Sequence, residues 1–96
     1  MIKLRYGLTL YNGLLGYEGN EPVQWFDTLE EAKLHVIPDK HAEIAVYAGE
    51  LWLTRISYVP FGVAQGYHYF GIHPAAQAIV AEYGITDDMI LGKVPV

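Results

Sequence analysis

The sequence predicts an α+β domain: a small, mostly antiparallel sheet of four to five strands in two hairpins, with two short helices, in the order β-β-β-α-β-β-α. Three observations predict it. Leu4–Tyr11 alternates apolar and mixed positions with the period of a half-buried strand. Two turn pairs, Asn12-Gly13 and Gly49-Glu50, each stand between segments of strand character. Two further segments, beginning at Asp27 and Pro74, carry helix start and stop signals.

In the first segment Leu4, Tyr6, Leu8 and Leu10 share one face, and Arg5, Gly7, Thr9 and Tyr11 the other. Asn12-Gly13 readily adopts the positive φ values of a two-residue hairpin, so Leu14–Tyr17 is expected to return antiparallel. Glu18–Pro22 then reads as a loop and Val23–Phe26 as a short strand whose pairing no local signal fixes.

Asp27 is placed to cap a helix, with Glu30 three residues on completing a capping box. Leu29, Ala32 and Val36 would face inward and Glu30 and Glu31 outward, until Pro38 pushes Ile37 out of helical geometry. The second hairpin pairs His41–Ala48 with Leu51–Val59 about a type II′ turn at Gly49-Glu50. In that register Tyr47 faces Trp52, Val46 faces Leu53 and Ile44 faces Arg55. The core side would hold Ala42, Ile44, Val46, Ala48, Leu51 and Leu53. The other side would carry His41, Glu43, Tyr47, Trp52, Thr54 and Tyr58.

Pro60–Ile72 reads as irregular, because Gly62, Gly66 and Gly71 weaken a strand at Tyr67–Phe70. Pro74 suits the first position of a helix that runs to Gly84, a natural C′ residue. The apolar stripe of that helix is Ala76, Ile79, Val80 and Tyr83. Thr86 is placed to cap one last short turn. Residues 80–90 resemble the spacing of a helix-turn-helix motif, but the second helix would offer Asp87 and Asp88 to DNA. They read instead as a helix end with Ile85 as its hydrophobic contact.

At 96 residues the chain is one domain, residues 1–96, with no internal repeat and no low-complexity stretch. Apolar residues make up 52% and charged residues 18%, which excludes intrinsic disorder. The chain has no cysteine, so disulfides, zinc-thiolate sites and cysteine nucleophiles are excluded. A net charge of −5 argues against direct nucleic-acid binding, which needs cations on phosphates. No apolar run reaches a membrane-spanning length, and no signal peptide is apparent after Met1, so a cytoplasmic protein is expected.

Candidate catalytic sets are weak. Glu31, His35, Asp39, His41 and Glu43 fall within thirteen residues, yet they show no recognised metal spacing and read better as surface pairs. Ser57 is mid-strand, and no glycine-rich phosphate loop is present. No catalytic residue, cofactor or metal is therefore expected. The alternative is a small-ligand pocket or minor enzyme built from Tyr67, His68, Tyr69 and His73.

The aromatic surplus is the stronger signal: eight Tyr, two Trp and three Phe are more than so small a domain hides. Between Glu18 and Glu31 there are five acids and no Lys or Arg, a charge run suited to a basic partner. The sequence thus points to a non-catalytic interaction module: an inhibitor, adaptor or regulatory subunit. A basic nucleic-acid-handling protein is one concrete target. Its partner surface would comprise Tyr11, Tyr17, Glu18, Glu21, Glu30, Glu31, Tyr47, Trp52, Tyr58, Tyr67 and Tyr69. The weakly polar helix face at Ala78 and Ala81 offers a homodimer contact.

Overall fold

The computed structural model describes residues 3–11 and 24–93. Its first element, β1 (Leu4–Leu10), buries Leu4, Tyr6, Leu8 and Leu10 on one face, as their alternation demands. There follow β2 (Gln24–Phe26), α1 (Leu29–Leu34), β3 (Ala42–Ala48), β4 (Leu51–Val59) and β5 (Gly66–Tyr69). A 3-10 turn at Pro74–Ala76 leads into α2 (Gln77–Tyr83), and α3 (Asp87–Ile90) closes the described chain. The expected Asn12-Gly13 turn, the return strand Leu14–Tyr17, the loop Glu18–Pro22 and Val23 lie outside the described residues.

The five described strands form one antiparallel sheet in the order β2-β1-β3-β4-β5. β3 pairs with the whole of β1, while β2 takes the other edge against Tyr6, Gly7 and Leu8. The segment expected to be irregular contains β5, an edge strand hydrogen-bonded to Ile56–Val59. Its glycine stands at the first position, where it does not interrupt the ladder.

The β3–β4 hairpin turns where the sequence places it. Gly49 adopts φ 62° and Glu50 does not, the combination that a Gly-first turn requires. Tyr47 opposes Trp52 as expected, but the register then shifts between Val46 and Tyr47, so Val46 opposes Thr54 and Ile44 opposes Ile56. A β-bulge leaves Leu53 as the extra residue. This corrects two expected pairs and two expected faces, because Thr54 and Tyr58 turn to the core side. The reason is packing: without the bulge Ile44 would meet Arg55 and Ile56 would point outward. With it, Leu8, Ile44 and Ile56 form one fully buried row across three strands.

The N-terminus of α1 also shifts by one residue. Thr28, with φ −132° and ψ 154°, is the cap, and its Oγ1 accepts from the Glu31 N–H at 3.1 Å. The Thr28 hydroxyl also donates to Glu31 Oε1 at 3.1 Å, so the cap pairs Thr28 with Glu31. Asp27 is instead drawn to Lys3, 3.1 Å away. Leu29 and Ala32 are buried and Val36 packs against the core, as the stripe predicts, while Glu30 and Glu31 are exposed. The helix stops at His35, ahead of Pro38, with the His35 ring lying on Phe26 at 4.6 Å.

At the other end, Gly84 takes φ 68°, its N–H donates to Ala81 O, and the Ile85 N–H donates to Val80 O at 3.0 Å. That pattern is a Schellman motif, and Ile85 is buried with Val80 as its hydrophobic contact. Tyr83, expected in the inward stripe, is 55% exposed, because the reversal at Gly84 puts Ile85 in the core instead. Thr86 Oγ1 caps α3 by accepting from the Met89 N–H, as expected. Buried side chains of every helix join one core with the Leu4–Leu10 face of the sheet. Tyr6 fastens this layer by donating its hydroxyl to Ile90 O at 2.8 Å.

Candidate functional site

The described helices send their buried side chains to one sheet face and leave the other open. That face carries Arg5, Thr9 and Tyr11 from β1 and its exit, Trp25 from β2, Glu43 and Tyr47 from β3, and Trp52 and Arg55 from β4. Strand pairing assembles them. Trp25 stands opposite Gly7, Arg5 opposite Tyr47, and Tyr47 opposite Trp52.

The result is a continuous row. The Arg5 guanidinium lies 4.3 Å from the Trp25 ring centre, and Trp25 meets Tyr47 edge-on at 5.3 Å. Across β4, Trp52 meets the His73 ring at 5.1 Å. Trp25 remains 46% and Trp52 37% exposed, so the row is wet along its outer surface. Beside it Glu43 is held from two sides. Its Oε1 pairs with Arg55 at 2.9 Å, and its Oε2 accepts from the Tyr11 hydroxyl.

The bulge has a second consequence here. Thr54, turned inward, donates its hydroxyl to Gly71 O at 2.7 Å, and the His73 N–H donates to Leu53 O at 2.7 Å. These bonds clip the 70–73 segment against β4 and open a groove of about 460 Å³ beside it. Trp52, Arg55, Phe70 and His73 are prominent in its lining. The His73 Nδ1 accepts from the Ala75 N–H at 3.1 Å, capping the 3-10 turn.

No protein-family model, curated protein or solved structure matches the chain significantly.

Of the residues singled out by sequence, Tyr11, Tyr47 and Trp52 lie on this face. Tyr58, Tyr67 and Tyr69 belong to the helix-facing side of β4 and β5. There the Tyr58 hydroxyl donates to Pro38 O at 2.9 Å, and the Tyr67 ring packs on Tyr58 with Lys33 4.6 Å above it. The Tyr69 hydroxyl donates to Asp87 Oδ1 at 2.5 Å. Burial, joined by that bond, pushes the Tyr69 phenol up, and burial followed by the neighbouring Tyr58 does the same for Tyr67. Glu30 and Glu31 stand exposed on α1, in the helix layer. Tyr17, Glu18 and Glu21 lie outside the described residues.

The alternative set does not converge. Strand alternation sends His68 to the face opposite Tyr67 and Tyr69, where its Nε2–H donates to Ala64 O at 2.5 Å. His73 alone of the four lines the groove. Among the described residues, no three His, Cys, Asp or Glu side chains gather as a metal site would. His35 Nδ1–H donates to the Glu31 carbonyl, and Glu43 is engaged on the open sheet face. No described helix is long and apolar enough to cross a membrane. The exposed Ala78 and Ala81 lie on α2.

Arg5, Trp25, Arg55 and Phe70 are site residues that the sequence reading missed. Trp25 was legible as part of a strand, but its face depends on β2 pairing with β1. Phe70, 78% exposed, is explained by its place at the groove's rim.

Proposed function

We propose that this protein is a non-catalytic interaction module, an inhibitor, adaptor or regulatory subunit, that binds a protein partner through its open sheet face. One observation carries the reading: the row of Arg5, Trp25, Tyr47, Trp52 and His73, built from four neighbouring strands and the segment clipped to β4, and left partly exposed. Tyr, Trp and Arg are the residues that dominate interface energetics, since they bring large, rigid contact area with a polar tip. The net charge of −5 gives the molecule as a whole a long-range attraction for a basic partner, a nucleic-acid-handling protein being one such class, while the face itself presents Arg5 and Arg55 beside Glu43. A cytoplasmic setting goes with this reading, in which a chain without cysteine needs no oxidising compartment.

The test is a quantitative comparison of variants. A partner recovered with the wild-type protein is purified, and its affinity is measured against Trp52→Ala, Trp25→Ala and Glu30→Gln. Either tryptophan change is expected to weaken binding about 30-fold, a typical hot-spot loss of about 2 kcal/mol. Glu30→Gln, in the helix layer, is expected to leave binding within about twofold. Equal affinities for the wild-type and both tryptophan variants would place the interface elsewhere.

Homodimerisation through Ala78 and Ala81 belongs to the same proposal, since both are exposed on α2 and small enough for close approach. Ala78→Arg is expected to convert the species seen by light scattering from dimer to monomer. An unchanged species rejects the contact.

A further inference from the structure

We propose that the groove beside the bulge binds a small planar aromatic carboxylic acid, with its carboxylate on Arg55 and His73 and its ring against Trp52 and Phe70. A volume of about 460 Å³ lies in the range of small-molecule sites. Among the described residues, the lining contains one permanently charged side chain, the Arg55 guanidinium, and no carboxylate. A negative ligand is therefore the complementary one.

The donors are set up by contacts already described. Arg55 uses its NH1 group on Glu43 Oε1, its one ion pair among the described residues. Glu43 is not among the described lining residues; it pairs with the guanidinium and itself accepts from the Tyr11 hydroxyl. The remaining N–H groups of Arg55 are thus oriented without being consumed, and a second carboxylate can share the fork.

His73 is fixed in the same manner. Because its Nδ1 accepts from the Ala75 N–H, the proton of the neutral ring resides on Nε2, which acts as a donor. The Gly71 carbonyl in the lining already accepts from the Thr54 hydroxyl. Trp52 and Phe70 supply aromatic surface on which a ring can stack.

This site does not rest on the protein-partner reading, although Trp52 serves both. The probe is indole-3-carboxylate, titrated into 15N-labelled full-length protein, with the two tryptophan indole N–H signals assigned by Trp52→Phe. The Trp52 signal is expected to move saturably below about 10 mM, and the Trp25 signal to stay still. The uncharged analogue indole-3-carboxamide is expected to bind at least about tenfold more weakly, through loss of a charge-assisted hydrogen bond. Arg55→Gln is expected to cost a similar factor, Arg55→Lys to restore part of it, and all variants to keep the wild-type amide spectrum.

The proposal is overturned by no saturable movement of the Trp52 signal, by equal binding of acid and amide, or by undiminished binding by Arg55→Gln. Stronger binding of benzamidinium than of the acid would show that the groove prefers cations, and would equally reject it. None of these outcomes bears on the partner affinities of the Trp25 variant, so the two readings fail separately.

Discussion

Replacing Ile44 by alanine is expected to lower the free energy of unfolding by about 3–4 kcal/mol, as read from urea denaturation at neutral pH. Ile44 is fully buried on the central strand β3, between Leu8 on β1 and Ile56 on β4. All three are among the largest fully buried side chains of the protein. Truncation removes three carbons from the middle of that row, and neighbours on both sides are tethered by strand pairing, so the cavity closes poorly. A domain this size holds about 5–14 kcal/mol in total, so the loss is a large fraction of its stability. Ala45→Ser serves as the control. The adjacent residue faces the open side, and its replacement is expected to cost no more than about 0.5 kcal/mol. Comparable losses in both variants would contradict the assignment of the two faces.

Much of the scaffold around that row is legible from local chemistry. The alternation of Leu4, Tyr6, Leu8 and Leu10 needs only the period of a strand. Gly49, Gly84 and Thr86 mark a turn, a helix end and a helix start because each meets a backbone requirement within a few residues of itself. The bulge is harder to read, since one extra residue is invisible in a short alternating pattern. A clue was nonetheless present: apolar positions keep one phase through Leu51 and Leu53 and change phase at Ile56. An unbroken register would therefore have set an arginine against Ile44.

What was not legible depends on distance along the chain. Asp27-x-x-Glu30 and Thr28-x-x-Glu31 are both capping boxes by spacing, and the choice between them involves Lys3, which engages Asp27. The open-face row has the same character. Tyr47 and Trp52 meet through a local hairpin and could be paired from sequence. Trp25 reaches them only because β2 crosses to the far edge of β1, and the groove exists only because the bulge turns Thr54 toward Gly71. Local rules do not specify those encounters.

Tyr6 links the sheet to the last helix across 84 positions, and its titration is expected to make the protein alkali-sensitive. Its buried hydroxyl donates to Ile90 O at 2.8 Å, and burial pushes the phenol from its ordinary 10 up to about 12. The unfolded chain therefore releases this proton near pH 10 and the native protein near pH 12. Between those values the unfolded state binds fewer protons, so stability falls as pH rises. The contribution is complete below pH 10 and is lost on the way to pH 12, on the order of 2 kcal/mol. Tyr6→Phe separates this effect from other tyrosines. It is expected to cost about 1–3 kcal/mol at pH 8, because the Ile90 carbonyl loses its partner. It should also lose less stability than the wild type between pH 8 and 11, by about 1 kcal/mol. Equal losses would mean that the Tyr6 hydroxyl is not the buried donor. The effect should be felt first in α3, whose four residues are too few to stand alone. Tyr69 holds the same helix through Asp87, and its phenol is likewise pushed up, so rising pH releases both tethers in the same direction. Amide exchange at Met89 and Ile90 should accelerate ahead of global unfolding in the wild type, and should already be fast at pH 8 in Tyr6→Phe.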